Sequence, residues 1–163
     1  MRQPLRRTTA LIATAALALS LSACTAGQWV AEAPPAAGVQ AETGGLKLRN
    51  FVVVSDDAGE AVLLGSITSR DETVTVDGIT VAPEKNDGTF ADPQELAFSE
   101  EIYEGRTINF DGTQTTFSSG DLLLGRLADV NVAFSNGQTM NLKAPVMSAE
   151  HEDFAEAYEK SKG

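Results

Sequence analysis

The sequence predicts an all-β fold, an antiparallel immunoglobulin-like or cupredoxin-like β-sandwich, over residues 46–147. Three observations predict it. Short runs of Val, Ile, Leu, Thr and Phe alternate with polar residues, the two-residue period of half-buried strands. Clusters of Gly, Asn, Asp and Ser separate these runs at the spacing of about 8–12 residues expected of hairpin turns. No apolar stretch with the period of a helix interrupts them before the C-terminal segment.

The elements follow in order. Leu46-Lys47-Leu48-Arg49 alternates, and Phe51-Val52-Val53-Val54 is β-rich. Ser55-Asp56-Asp57-Ala58-Gly59 is a turn cluster, and Ala61 to Thr68 reads as the second strand. Thr73-Val74-Thr75-Val76 and Ile79-Thr80-Val81 flank Asp77-Gly78, which marks either a hairpin or a bulge. Residues 83–105 are polar and acidic, with brief strands expected at Leu96-Ala97-Phe98 and Ile102-Tyr103. Ile108 and Phe110 mark another strand, Leu122-Leu123-Leu124 a further apolar piece, and Val130 to Phe134 the next strand. Asn136-Gly137 suits a type I′ turn, whose two central residues both need positive φ. Thr139 to Ala144 is the return strand, and Pro145 can stand at its end, where no ladder donor is required. Residues 148–163 form an acidic tail with a short, fraying helix expected around Phe154 and Tyr158, which stand at i, i+4 spacing.

The first 45 residues are of another kind. Residues 1–23 read as an export signal: Arg2, Arg6 and Arg7 precede an apolar run over residues 10–21. That run is too short for a bilayer core of roughly 30 Å, which takes about 20 helical residues. The Arg6-Arg7 pair leaves general and twin-arginine export both open. Residues 24–45 are rich in Ala, Gly and Pro, hold no period, and read as a flexible linker ending in Gly44-Gly45.

Composition narrows the function. Hydrophobic residues make up 42% of the 163, enough for a core, while aromatics at 6% leave that core to aliphatic side chains and Phe. The formal charge is −11, and it becomes −14 without residues 1–23, which carry three arginines and no acid. Such a chain is no nucleic-acid binder, because phosphate contacts rest on Lys and Arg. Polybasic docking on anionic lipid is disfavoured for the same reason. With a single cysteine, no internal disulfide can form. There is no G-x-S-x-G, phosphate-binding glycine loop or HExxH, and the lone histidine, His151, lies beside no nucleophile motif. The expectation is a protein that is not an enzyme and carries no cofactor. The alternative cofactor is copper, since Met140, Met147 and His151 offer two soft thioethers and an imidazole within twelve residues.

Leu21-Ser22-Ala23-Cys24 resembles the lipobox of bacterial lipoproteins. Small residues at Ser22 and Ala23 let an extended backbone enter a peptidase site, and the Cys24 thiol is the acylatable atom. The resemblance implies a diacylglyceryl thioether on Cys24, with palmitate-type chains, and cleavage that leaves Cys24 as the new N-terminus. Two chains anchor stably where one gives marginal binding. The rival reading is a plain secretory signal cut near Ala23, with Cys24 a free thiol.

The layout also resembles small actinobacterial envelope lipoproteins related to PCuAC-type periplasmic copper chaperones. The matching features are the lipobox, the linker, the strand Leu46 to Val54, the stretch Leu63-Leu64-Gly65-Ser66-Ile67-Thr68, and the closing hairpin Val130 to Gly137 with Ala144-Pro145-Val146. The resemblance implies a β-sandwich. Copper-binding members use two histidines and two methionines at wide, fixed spacing, whereas this chain has one histidine near its C-terminus, so no copper ligand is carried over. The expected protein is a cell-envelope lipoprotein held in the cytoplasmic membrane by its N-terminal lipid. Its sandwich would bind an unknown envelope protein or small ligand.

Overall fold

The chain folds so that one strand belongs to both layers of the sandwich. The computed structural model describes residues 37–163; the signal segment and most of the linker lie outside the described residues. The strands are β1 (Val39–Thr43), β2 (Leu46–Ser55), β3 (Glu60–Ser69), β4 (Val74–Pro83), β5 (Gln94–Leu96), β6 (Glu100–Ile102), β7 (Arg106–Phe110), β8 (Thr116–Ser118), β9 (Leu127–Phe134) and β10 (Thr139–Ser148). A helix, α1 (Ala155–Ser161), ends the chain. The sheet order is β5-β4-β9-β10-β2-β3-β7, with β1 on β2, β6 on β4 and β8 on β3.

Strand β10 makes the corner. Its first part, from Thr139 to Pro145, pairs antiparallel with β9, and its last part, Val146 to Ser148, pairs parallel with β2. Pro145 stands at the switch. It has no N–H to give to a ladder, so it marks where a strand can leave one sheet for another. The expected antiparallel sandwich is therefore observed with one parallel pair in it, a mixed sheet curled on itself.

Between the layers lies one cluster that includes Leu46, Leu48, Phe51, Val53, Leu63 and Ile67 from one sheet and Val76, Ile79, Val81, Val130, Val132 and Leu142 from the other. A second cluster, Val52, Val54, Val62, Ala149, Phe154 and Tyr158, covers the outer face of β2 and β3. This explains why Phe51 to Ser55 is buried without a break. A strand covered on both faces reads as a continuous apolar run rather than an alternating one. The switch from one face to the other occurs at Asn50, whose φ of 54° sits in a bulge where the β2–β3 register shifts. Asn tolerates that conformation better than a branched residue would.

Several expectations are corrected. The linker was expected to run to residue 45, yet residues 39–43 form β1, paired antiparallel with β2. Gly44 and Gly45 have φ of 49° and 81° and connect Thr43 to Leu46 as a two-residue hairpin. That is the primed turn geometry, which two glycines adopt at no steric cost. At Asn136-Gly137, where the primed turn was expected, only Gly137 has positive φ, 82°. Its N–H donates to Phe134 O at 2.9 Å and the Phe134 N–H donates to Gln138 O at 3.0 Å, a three-residue connection with glycine at its left-handed position. Asp77-Gly78 is a bulge inside one strand, β4, rather than a hairpin. The apolar piece Leu122-Leu123-Leu124, to which no element was assigned, lies in a loop.

The acidic tail is bound down rather than frayed. Phe154 and Tyr158 are buried. The Tyr158 hydroxyl donates to Glu60 O at 3.3 Å, and Ser161 Oγ donates to Tyr158 O at 2.6 Å. Burial pushes the Tyr158 phenol up to about 12, with the Asp56 carboxylate beside it as the next cause. The same contact with Tyr158 holds the Asp56 carboxyl below its ordinary range. Because the folded pKa lies above the unfolded value of about 10, the folded state binds this proton more tightly. The resulting stability is complete below about pH 10 and is lost as pH rises towards about 12. Thermal melts taken across that range should fall, and Tyr158→Phe should remove this part of the decline.

Candidate functional site

The sequence-predicted site residues fall in different places. Leu21, Ser22, Ala23 and Cys24 lie outside the described residues. Met140 is buried between the sheets, as the inward pattern of Leu142 and Ala144 predicts. Met147 packs against the second cluster, on the other side of the β2 sheet. Seven residues along a strand is about 23 Å, and the odd offset places the two thioethers on opposite faces. His151 is exposed in the turn before α1. Its Nδ1 accepts from the Asp153 N–H at 3.3 Å, and its ring centroid lies 5.5 Å from that of Phe154. His151 thus borders Phe154 of the second cluster, against which Met147 also packs, while Met140 lies between the sheets. The three do not form one copper site, so the donor set does not fit the metal. Among the described residues no group of three or more His, Cys, Asp and Glu side chains is placed to hold a metal ion. Nor is any helix among them long and apolar enough to cross a membrane.

The surface feature that stands out is the loop 119–126 between β8 and β9, which closes one end of the sandwich. It starts beside the β2–β3 turn, where the Ser119 N–H donates to Gly59 O at 3.0 Å. Leu122 then turns inward and packs against the main core. Gly125, at φ 77°, lets the chain reverse, and the Arg126 N–H donates to Leu123 O at 3.1 Å. The Gly125 N–H donates to Val146 O at 2.9 Å and the Val146 N–H to Arg126 O at 2.8 Å, so the loop is tied to the corner strand. On its other side Arg126 Nη1 lies 3.2 Å from Glu84 Oε1, and the Glu84 N–H donates to Leu127 O at 2.8 Å.

The loop backbone is thereby held while two side chains beyond Leu122 point to solvent. Leu124 is 46% exposed and Leu127 37%; the other large exposed hydrophobic among the described residues is Tyr103. A shallow cavity of about 290 Å³ adjoins the loop, lined by Lys85, Asn86, Asp87, Gly120, Asp121 and Leu123. Another, of about 470 Å³, lies beside Phe98, Glu100 and Gln114. Neither gathers a nucleophile and a base. The arrangement offers contact surface. In the sequence Leu122-Leu123-Leu124 stands only as a further apolar piece, with no element assigned to it. Gly120 and Gly125 on either side, and the lack of β-branched residues, were the signals for a loop.

The fold and this end of it define a class: a mixed, ten-stranded β-sandwich with a helix-covered outer face and an aliphatic loop at one end. No protein-family model matches the chain, and no curated protein matches it. Among solved structures the chain is similar to the apo PCuAC domain from PmoF1, at 12% identity and a TM-score of 0.49 over 68% of this chain and 99% of that one. It is similar also to the copper-bound PCuAC domain from PmoF2, at 12% identity and a TM-score of 0.47 over 68% and 98%. A third likeness is to a chain of the archaeal flagellum of Methanospirillum hungatei strain JF1, at 12% identity and a TM-score of 0.40 over 88% and 87%. At such scores these likenesses enter no step of the functional argument.

Proposed function

We propose that the chain is a lipid-anchored protein of the bacterial cell envelope, presenting an acidic β-sandwich outside the cytoplasmic membrane as a non-enzymatic binding module for an envelope protein or small ligand. The observation that carries this reading is Leu21-Ser22-Ala23-Cys24, placed at the end of the apolar run 10–21 behind Arg2, Arg6 and Arg7. The order of charge, apolar run, small residues and a lone cysteine is what an export signal with an acylation site requires. Residues 25–38 then separate the anchor from β1, a tether with a root-mean-square reach of about 20 Å if it behaves as a coil. Copper handling is the weaker reading, because Met140 lies apart from Met147 and His151.

Exchanging the acylated atom tests the proposal. Cys24→Ser should leave the sandwich folded and lower the membrane-bound fraction by about tenfold or more, since nothing replaces the two acyl chains. Equal retention of both proteins in the membrane fraction would sink the anchor.

A further inference from the structure

We propose that the aliphatic loop and the first residue of β9 form a second membrane contact: Leu124 and Leu127 seat in the interface of the bilayer that holds the Cys24 lipid, fixing which end of the sandwich faces outward. This rests on the anchor reading above. Strand register carries it. β1 lies along β2 with Val39 opposite Phe51, and β10 takes over the same edge of β2 with Val146 opposite Val53. The chain therefore enters the domain, at Ala37 and Gly38, beside the point where β10 joins that edge. Val146 is also the residue bonded to Gly125 and Arg126. The tether thus leads to the end of the sandwich that carries the exposed leucines.

The chemistry points the same way. A contact too weak to hold a free protein on a membrane becomes populated once a tether makes it intramolecular. The loop is fixed by hydrogen bonds on both sides, so seating it orders little that is not ordered already. The surrounding charge is mixed: Lys85 and Arg126 stand with Glu84, Asp87 and Asp121. On a chain of charge −14 this favours an uncharged, zwitterionic interface and an apolar contact. Tyr103 marks the opposite end. It follows β6 in the turn whose Gly105 N–H donates to Ser69 O, and Ser69 pairs with Leu46 at the start of β2.

The experiment uses the full lipidated chain in phosphatidylcholine vesicles with brominated acyl chains. Leu124→Trp and Tyr103→Trp are each placed in a Trp29→Phe background, so that one indole reports. Leu124→Trp should be quenched about twofold or more relative to unbrominated vesicles, as for a side chain seated about 5–10 Å into the boundary. Tyr103→Trp should be unaffected, and neither result should change with added salt. Retention on vesicles without quenching of Leu124→Trp, or equal quenching at both positions, overturns the second contact alone. Blue-shifted Leu124→Trp emission in the absence of vesicles, showing that the chain's own residues cover the loop, overturns it too. A chain no better retained than its Cys24→Ser form overturns the anchor and this proposal together.

Discussion

Phe51→Ala lowers the unfolding free energy by about 3–5 kcal/mol, the largest loss expected from a single core truncation in this fold. Phe51 is fully buried in the layer between the sheets. Its ring meets Phe110 edge-to-face at 5.6 Å, and Phe110 meets Phe98 in the same way at 4.8 Å, so one ring supports a chain of three. Across β3 the space beside the ring is kept open by Gly65. A Cβ there would stand 2.7 Å from Phe51 Cδ2, and Gly65 holds φ of 152°. With no side chain at Gly65, the void left by Ala cannot be refilled from that side. That places the cost in the upper part of the usual range. A urea titration checks it: the midpoint should fall with the slope unchanged. Phe51→Leu should lose clearly less. An unchanged midpoint for Phe51→Ala would mean that the ring is not the keystone of this layer.

Tyr158→Ala costs about 2–4 kcal/mol, because it removes a buried ring from the cluster that covers Val52, Val54 and Val62. The helix that carries it spans seven residues and has no side-chain cap at its start. Helices this short are not stable alone, so α1 exists because Phe154 and Tyr158 are buried. Losing the anchor should therefore release the whole tail. Tyr158→Phe keeps the ring and removes the 3.3 Å bond to Glu60 O together with the hydroxyl's contact to the Asp56 carboxylate, and should cost about 1 kcal/mol. Hydrogen exchange of amides in α1, with urea titration of both variants, separates these outcomes. Equal losses for Ala and Phe would show that the hydroxyl rather than the ring holds the helix.

Much of the fold was legible because alternation is a local signal. β2, β3, β4, β9 and β10 each declare an inward face, and Met140 was placed inside by the company of Leu142 and Ala144. What was missed lacks such a signal. β1, Val-Gln-Ala-Glu-Thr, is mostly polar, so only Gly44-Gly45 announced a hairpin, and its glycines were read as linker. The parallel pairing of Val146 with Val53 joins residues far apart in sequence, and its one local trace is Pro145. The uninterrupted run Val52-Val53-Val54 did carry the message that both faces are covered, but the covering residues, Phe154 and Tyr158, lie about a hundred positions away.

The site was less legible than the fold. Met140, Met147 and His151 are close in sequence, yet a strand carries its residues apart and the corner at Pro145 sends two of them to the far side of a sheet. The leucine loop is the reverse case. Its flanking glycines and lack of β-branched residues mark it as a loop, but only the bonds of Gly125 and Arg126 to Val146 show at which end of the sandwich it stands.

The central claim, that this sandwich is held to a membrane through Cys24, is tested most directly by the mass of the N-terminal peptide of the mature protein isolated from membranes. The account predicts a peptide that begins at Cys24 and carries a thioether-linked diacylglycerol. A mature chain beginning at any other residue, or one with an unmodified Cys24 thiol, would contradict it.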